Sequence, residues 1–478
     1  MNYKMIKNIL GWILIFEAGF MAVPLLTAAI YWEKSFFAYL ISIAICLVIG
    51  VLFIIRKPKD RTLYARDGLV IVALSWIVLS VFGALPFVFS REIPNYIDAL
   101  FETASGFTTT GATILFEVES LSHATLMWRS FLHWVGGMGV LVFIMAFVPL
   151  SGGNNLHIMR AESPGPSVSK LVPRVKTTAL ILYLIYIALT VIELILLLCG
   201  GMSLFEALST TFGTAGTGGF SFRNDGFASF SSYIQIVVTV FMLLFSINFA
   251  SFYLILLGKF KDAFTSEVRT FIGIVAALIL IITFNSRAEF PSLADAFKHV
   301  SFTVSSLIST TGYTTVDYNY WPALSRALLV LAMFIGACAG STGGGLKVSR
   351  ILIFIKSIAK ELYLMVHPKQ VKKIVIDKRP VESEVVKATN VYMVCYIILF
   401  TASVLLVSIE GKDLVTNFTA VAATINNIGP GLELVGPKGS FGIFNPFSKL
   451  VLTFNMIAGR LELFPMLVLF FPDTWKKA

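Results

Sequence analysis

Four short segments combine glycine with hydroxyl and amide side chains: Thr108-Thr109-Thr110-Gly111-Ala112-Thr113, Ala215-Gly216-Thr217-Gly218-Gly219-Phe220-Ser221, Ser309-Thr310-Thr311-Gly312-Tyr313-Thr314 and Asn426-Asn427-Ile428-Gly429-Pro430-Gly431. None offers a nucleophile beside a base or a metal-ligand cluster, so their chemistry must come from the backbone. Glycine reaches φ > 0 and brings carbonyl groups close to an axis with no side chain between. Thr, Ser and Asn beside it add oxygen ligands and hydrogen bonds. Rings of backbone carbonyls can replace the hydration shell of K+. The residues that would supply such a ring are Thr109, Thr110 and Gly111; Thr217, Gly218 and Gly219; Thr310, Thr311 and Gly312; and Asn427, Ile428 and Gly429. One glycine turn would be weak evidence. Four copies are another matter: with Gly111, Gly218, Gly312 and Gly429 aligned, the spacings are 107, 94 and 117 residues.

The surroundings of each segment repeat as well. A short semi-polar helix leads into it, over residues 98–107, 203–212, 293–308 and 414–424. Asp98 suits the cap of the first, and Ser203 with Glu206 forms a capping box for the second. An apolar span precedes each unit's short helix (68–89, 179–198, 271–284, 391–409), and another follows the segment (126–147, 233–257, 323–360 with an interruption, 446–471). A loop at membrane depth is tolerated only where it faces protein or a water-filled cavity, so the four loops belong around one axis. The expected fold is an all-α integral membrane protein of about ten transmembrane helices. Four pseudo-symmetric helix–pore-loop–helix units (61–160, 161–262, 263–370 and 371–478) surround a central pore, and an N-terminal transmembrane helix pair occupies 1–60. The first apolar stretch, 9–30, is too long for a signal peptide's apolar region, contains Glu17 and lacks a small-residue cleavage site.

Composition agrees with a bilayer. Hydrophobic residues make up 57% and charged residues 13%, against about a quarter charged in soluble domains. The net charge of +10 does not imply nucleic acid, because basic residues alternate between loops. Arg56 to Arg66, Arg160 to Lys176, Lys259 to Arg269 and Lys347 to Lys387 are rich, and the intervening loops are poor. That is the positive-inside pattern and places both termini in the cytoplasm. Cys46, Cys199, Cys338 and Cys395 read as small core residues, and the five His form no metal or triad pattern. His133 reads as a helix-packing residue and His367 as a loop residue. Arg129, beside Trp128, reads as an interfacial anchor.

Within the third unit, Gly340-Ser341-Thr342-Gly343-Gly344-Gly345, followed by Lys347, interrupts an apolar span. Each glycine costs a helix interior roughly 1 kcal/mol relative to Ala. The helix must break there, and its freed backbone must line a cavity or pore. Arg460 lies in the last apolar span, where a charge is costly and calls for a partner or a function. Glu462 is near in sequence, although i and i+2 point to different sides of a helix.

Over essentially its whole length the chain resembles the Trk/Ktr/HKT superfamily of cation-uptake proteins, on the Trk side. The four filter segments, the glycine stretch and Arg160-Ala161-Glu162-Ser163-Pro164-Gly165-Pro166 carry the likeness. The N-terminal helix pair favours Trk over Ktr, and glycine at all four key positions resembles the potassium-selective pattern. The resemblance implies potassium uptake across a bacterial cytoplasmic (inner) membrane. It implies a gate formed by Gly340–Gly345 and Lys347 with Arg460 facing the pore, and a homodimer. It also implies a TrkA-like cytosolic nucleotide-binding subunit docked on the basic loop 347–387; positive-inside charge or contact with lipid headgroups would also account for that loop. The chain carries no nucleotide-binding motif of its own. A sodium- or proton-coupled symporter is the alternative, for which Glu17 and Glu193 are sparse material. An enzyme is not expected, for want of clustered His, Cys or carboxylates.

Overall fold

A computed structural model describes residues 1–56, 58, 63–147 and 175–476. The segment 160–166 singled out above lies outside the described residues, as do Lys57, Lys59, Arg61, Lys170, Arg174 and Lys477 and the boundary between the first two units. The helices are α1 (Tyr3–Phe20), α2 (Ala22–Ile30), α3 (Ser35–Ile54), α4 (Ala65–Gly83), α5 (Leu85–Phe89), α6 (Tyr96–Phe107), α7 (His123–Phe147), α8 (Val175–Cys199), α9 (Leu204–Ala215) and α10 (Ser232–Phe245). They continue with α11 (Phe249–Leu256), α12 (Phe260–Ala263), α13 (Ser266–Asn285), α14 (Leu293–Ile308), α15 (Ala323–Ile335), α16 (Val348–Val366), α17 (Ser383–Ser408), α18 (Leu414–Ile425), α19 (Pro446–Arg460) and α20 (Phe464–Leu469). A two-residue hairpin pairs β1 (Val375–Ile376) antiparallel with β2 (Arg379–Pro380), in the register Val375 to Pro380 and Ile376 to Arg379. Its turn residues Asp377 and Lys378 both have positive φ, as a two-residue turn of matching twist requires.

Six helices among the described residues are long and apolar enough to cross a membrane, or seven if the bent pair α10–α11 counts as one span. The chain is a multi-pass, all-α membrane protein. Three of the inner helices are shortened by breaks: α10, α15 and α19 have 14, 13 and 15 residues. Large apolar side chains such as Phe37, Val48, Leu184, Ile195, Phe284 and Leu405 are exposed on the long helices, as a lipid-facing surface demands.

The short helices α6, α9, α14 and α18 occupy the interior. Each packs on the helix that follows it in its own unit: α6 on α7, α9 on α10, α14 on α15 and α18 on α19. Each also packs on the inner helix of the preceding unit: α9 on α7, α14 on α10, α18 on α15, and α6 back on α19. The last contact closes a ring in chain order. The N-terminal pair lies outside that ring, with α1 against α3 and α4. Gly11 and Gly50 meet there so closely that a Cβ on either would fall 2.8 or 2.9 Å from the other's carbonyl oxygen, a small-residue crossing typical of membrane helices.

Candidate functional site

Each short helix begins with a side-chain cap. Asn95, Ser203, Ser292 and Asp413 accept from the N–H groups of Ile97, Glu206, Asp295 and Thr416. Ser203 and Glu206 do form the reciprocal box. Asp98 is not the first cap. It sits one turn further in and pairs with Lys449 of α19 at 2.5 Å, tying the first unit to the fourth.

The four helices end identically. At each C-terminus one residue has left-handed φ: Thr109 (53°), Thr217 (53°), Thr310 (63°) and Asn427 (55°). Its N–H bonds three residues back, and the next N–H bonds five back: Thr110 to Ser105, Gly218 to Gly213, Thr311 to Ser306 and Ile428 to Ala423, at 2.8–2.9 Å. These are Schellman caps. Glycine usually holds the left-handed position, and a β-branched residue there is an outlier. Two residues on, glycine has positive φ in every copy: Gly111, Gly219, Gly312 and Gly429. The repeat therefore aligns Gly219, not Gly218, with Gly111. Two adjacent glycines hid the register, and backbone conformation resolves it.

The loops touch in a closed circuit. A Cβ on Gly111 would lie 1.9 Å from the Gly218 carbonyl oxygen, one on Gly219 1.9 Å from that of Thr311, and one on Gly312 2.1 Å from that of Ile428. One on Gly429 would lie 3.0 Å from that of Thr110. Four equivalent carbonyls, of Thr110, Gly218, Thr311 and Ile428, thus stand one per loop against the glycine of the preceding loop, the first loop's against that of the fourth. Any side chain there would break the circuit. The helix C-termini aim the negative ends of four dipoles at it.

Behind the first loop lies a buried ion pair that sequence reasoning missed. Arg129, taken above for an interfacial anchor, is 1% exposed. Its Nε donates to Glu102 Oε1 at 2.8 Å and its Nη1 to the Ser221 carbonyl at 3.2 Å. Glu102 also accepts from the Thr113 hydroxyl and the Ile114 N–H. His133 is likewise more than a packing residue, being bonded to elements of both the first and second loops.

The glycine stretch is non-helical from the end of α15 to the start of α16, with positive φ at Gly336, Gly340, Gly345 and Lys347. On one side it abuts the third and fourth loops: Gly344 N–H donates to Thr310 Oγ1 at 2.6 Å and Gly345 N–H to the Asn426 carbonyl at 3.1 Å. On the other it fills the 94° bend between α10 and α11. There Cys338 N–H bonds the Ser246 carbonyl, Thr342 N–H bonds that of Phe245, and Phe249 N–H bonds the Gly340 carbonyl. Helix-end groups at membrane depth need such partners. Lys347 is buried and donates to the Gly343 carbonyl. Arg460, ending α19, donates to the carbonyls of Thr342 at 2.8 Å and Gly136 at 2.7 Å. Glu462 pairs with Arg350 of α16 instead. Ser341, Gly343, Gly344, Gly345, Lys347, Gly459, Arg460 and Glu462 line a small cavity here. From below, Glu267 Oε1 accepts the N–H groups of Ala339 (2.7 Å) and Ser349 (3.1 Å), while its neighbour Ser266 bonds Asp377 of the hairpin. Cys46 and Cys338 are buried as expected, whereas Cys199 is exposed.

A lipid-embedded helical chain whose four loops close around one axis is a transport protein, not an enzyme. The family model TrkH, described as cation transport protein, matches residues 34–477, and the chain belongs to that family. It is 38% identical to the Trk system potassium uptake protein TrkH of Salmonella typhimurium and to that of Escherichia coli, each over 100% of both chains. It is 33% identical to the Trk system potassium uptake protein TrkG of Escherichia coli over 99% of both chains. The crystal structure of the potassium transporter TrkH from Vibrio parahaemolyticus superposes with a TM-score of 0.89 at 34% identity, covering 100% of both chains.

Proposed function

We propose that the chain is the potassium-translocating subunit of a Trk-type uptake system in a bacterial cytoplasmic membrane, with both termini in the cytoplasm. The observation that carries the reading is the closed circuit of four carbonyls against four positive-φ glycines. Such a circuit can exchange a K+ hydration shell for backbone oxygens. Its relatives named above are potassium uptake proteins. Gly340–Gly345, Lys347 and Arg460 act as the gate, a plug held beneath the ring by bonds to all four units. Release follows from a TrkA-like nucleotide-binding partner on the cytoplasmic side, where the hairpin at Asp377 connects through Ser266 and Glu267 to the loop. The working unit is a homodimer.

Radiolabelled rubidium uptake into proteoliposomes tests this reading. We expect uptake that excess K+ suppresses far better than Na+ and that needs no imposed Na+ or proton gradient. A strict requirement for either gradient points to coupled symport. Silence even with the cytosolic partner and nucleotide present overturns the potassium reading.

A further inference from the structure

On α7, Arg129, His133 and Gly136 follow at i, i+4 and i+7 and so share one helix face. That face backs the seam between the first and second loops. The His133 ring is fully buried. Its Nδ1 lies 2.9 Å from the Gly106 carbonyl oxygen and its Nε2 lies 3.1 Å from the Phe220 nitrogen. A backbone N–H can only donate and a backbone carbonyl can only accept. Nε2 must therefore be the bare nitrogen and Nδ1 must carry the proton. The geometry admits one neutral tautomer.

Both partners belong to the ring machinery. The Gly106 carbonyl also accepts the N–H of Thr109, the left-handed residue of the first loop, at 3.1 Å. Phe220 directly follows Gly219. The second loop lies flat on the ring: a Cβ on Gly218 would fall 2.2 Å from the imidazole, and one on Gly216 2.1 Å from the His133 carbonyl oxygen. The seam between the second and third loops is joined otherwise, by the Tyr313 hydroxyl donating to the Thr210 carbonyl at 3.3 Å. We infer that His133 is a positioning residue for ion selection, fixing the spacing of the first and second loops by holding the Gly106 carbonyl and the Phe220 amide on opposite nitrogens of one rigid ring. This rests on the reading of the four loops as a K+ filter. His133 itself touches no ion.

The test compares rubidium and sodium uptake in proteoliposomes of the unaltered chain, His133→Leu, His133→Asn, His133→Gln and Gly111→Ser. Leu fills volume but leaves the Phe220 N–H without an acceptor. Asn places an amide near Nδ1, and Gln places one near Nε2. We expect His133→Leu to lower the rubidium-to-sodium ratio about tenfold, with Asn and Gln each recovering part of it. Loss of the ratio in Leu without recovery in either amide variant reduces His133 to a space-filler and overturns the inference. An unchanged ratio in His133→Leu with a lowered one in Gly111→Ser overturns it while leaving the filter standing; no change in either removes both. Should the Leu variant not fold, nitrogen NMR of the labelled, unaltered chain decides: a neutral Nδ1-protonated ring is expected, and an Nε2-protonated ring or an imidazolium contradicts it.

Discussion

Thr109, Thr217 and Thr310 hold a backbone conformation that costs a β-branched residue of order 1–3 kcal/mol, and such strain persists only where surrounding structure imposes it. Here the i−5 hydrogen bonds of the next residues and the neighbouring loop impose it. The glycines two positions on were legible in the first, third and fourth loops because only glycine serves there, whereas the adjacent Gly218 and Gly219 hid the register of the second. The strained Thr were not, since Thr gives no sequence signal for positive φ. Arg129 was misread for a related reason: its counter-charge, Glu102, sits on another helix, 27 residues away. Removing that counter-charge leaves a buried cation. Glu102→Gln should cost about 3–5 kcal/mol, seen as a lower thermal midpoint, whereas Glu102→Leu combined with Arg129→Met should recover most of it. Equal losses in the two variants would argue that the pair is ordinary packing.

At the scale of elements, the break after α15 was written in its run of glycines, but the breaks after α10 and α19 were not. Their signals are faint: Ser246 and Asn248 inside an apolar span, and Pro465 just beyond Arg460. At the break after α10 the freed backbone groups are taken up by the glycine stretch, whereas after α19 the backbone bonds to itself and the side chains of Arg460 and Glu462 reach the glycine stretch and α16, tertiary facts no local pattern contains. The glycine stretch and Arg460 are therefore held by few, nameable bonds. Arg460→Ala removes two of them, and the chain without its partner should then show severalfold higher basal rubidium flux. Deleting Gly343–Gly345 should act in the same direction. Glu267→Gln keeps one acceptor oxygen but loses the charge that holds Ala339 and Ser349, so its flux should rise less than that of Arg460→Ala. Unchanged flux in all three would remove the gate assignment.

Across the whole molecule, the fourfold repeat and the separate N-terminal pair could be read from spacing and hydropathy, while the cyclic order of contacts emerged only in three dimensions. The pair supports the ring from outside. Gly50→Leu would drive a side chain into the Gly11 carbonyl and should cost about 1–3 kcal/mol, read as a lower thermal midpoint with the rubidium-to-sodium ratio unchanged; a changed ratio would mean that the pair shapes the pore. The central claim, that four backbone carbonyls select the ion, is open to one direct observation. Crystals soaked in thallium, a K+ mimic with strong anomalous scattering, should show a peak on the axis of the ring formed by Thr110, Gly218, Thr311 and Ile428, and Gly111→Ser should weaken it. Thallium bound elsewhere, with the ring empty, would contradict the account.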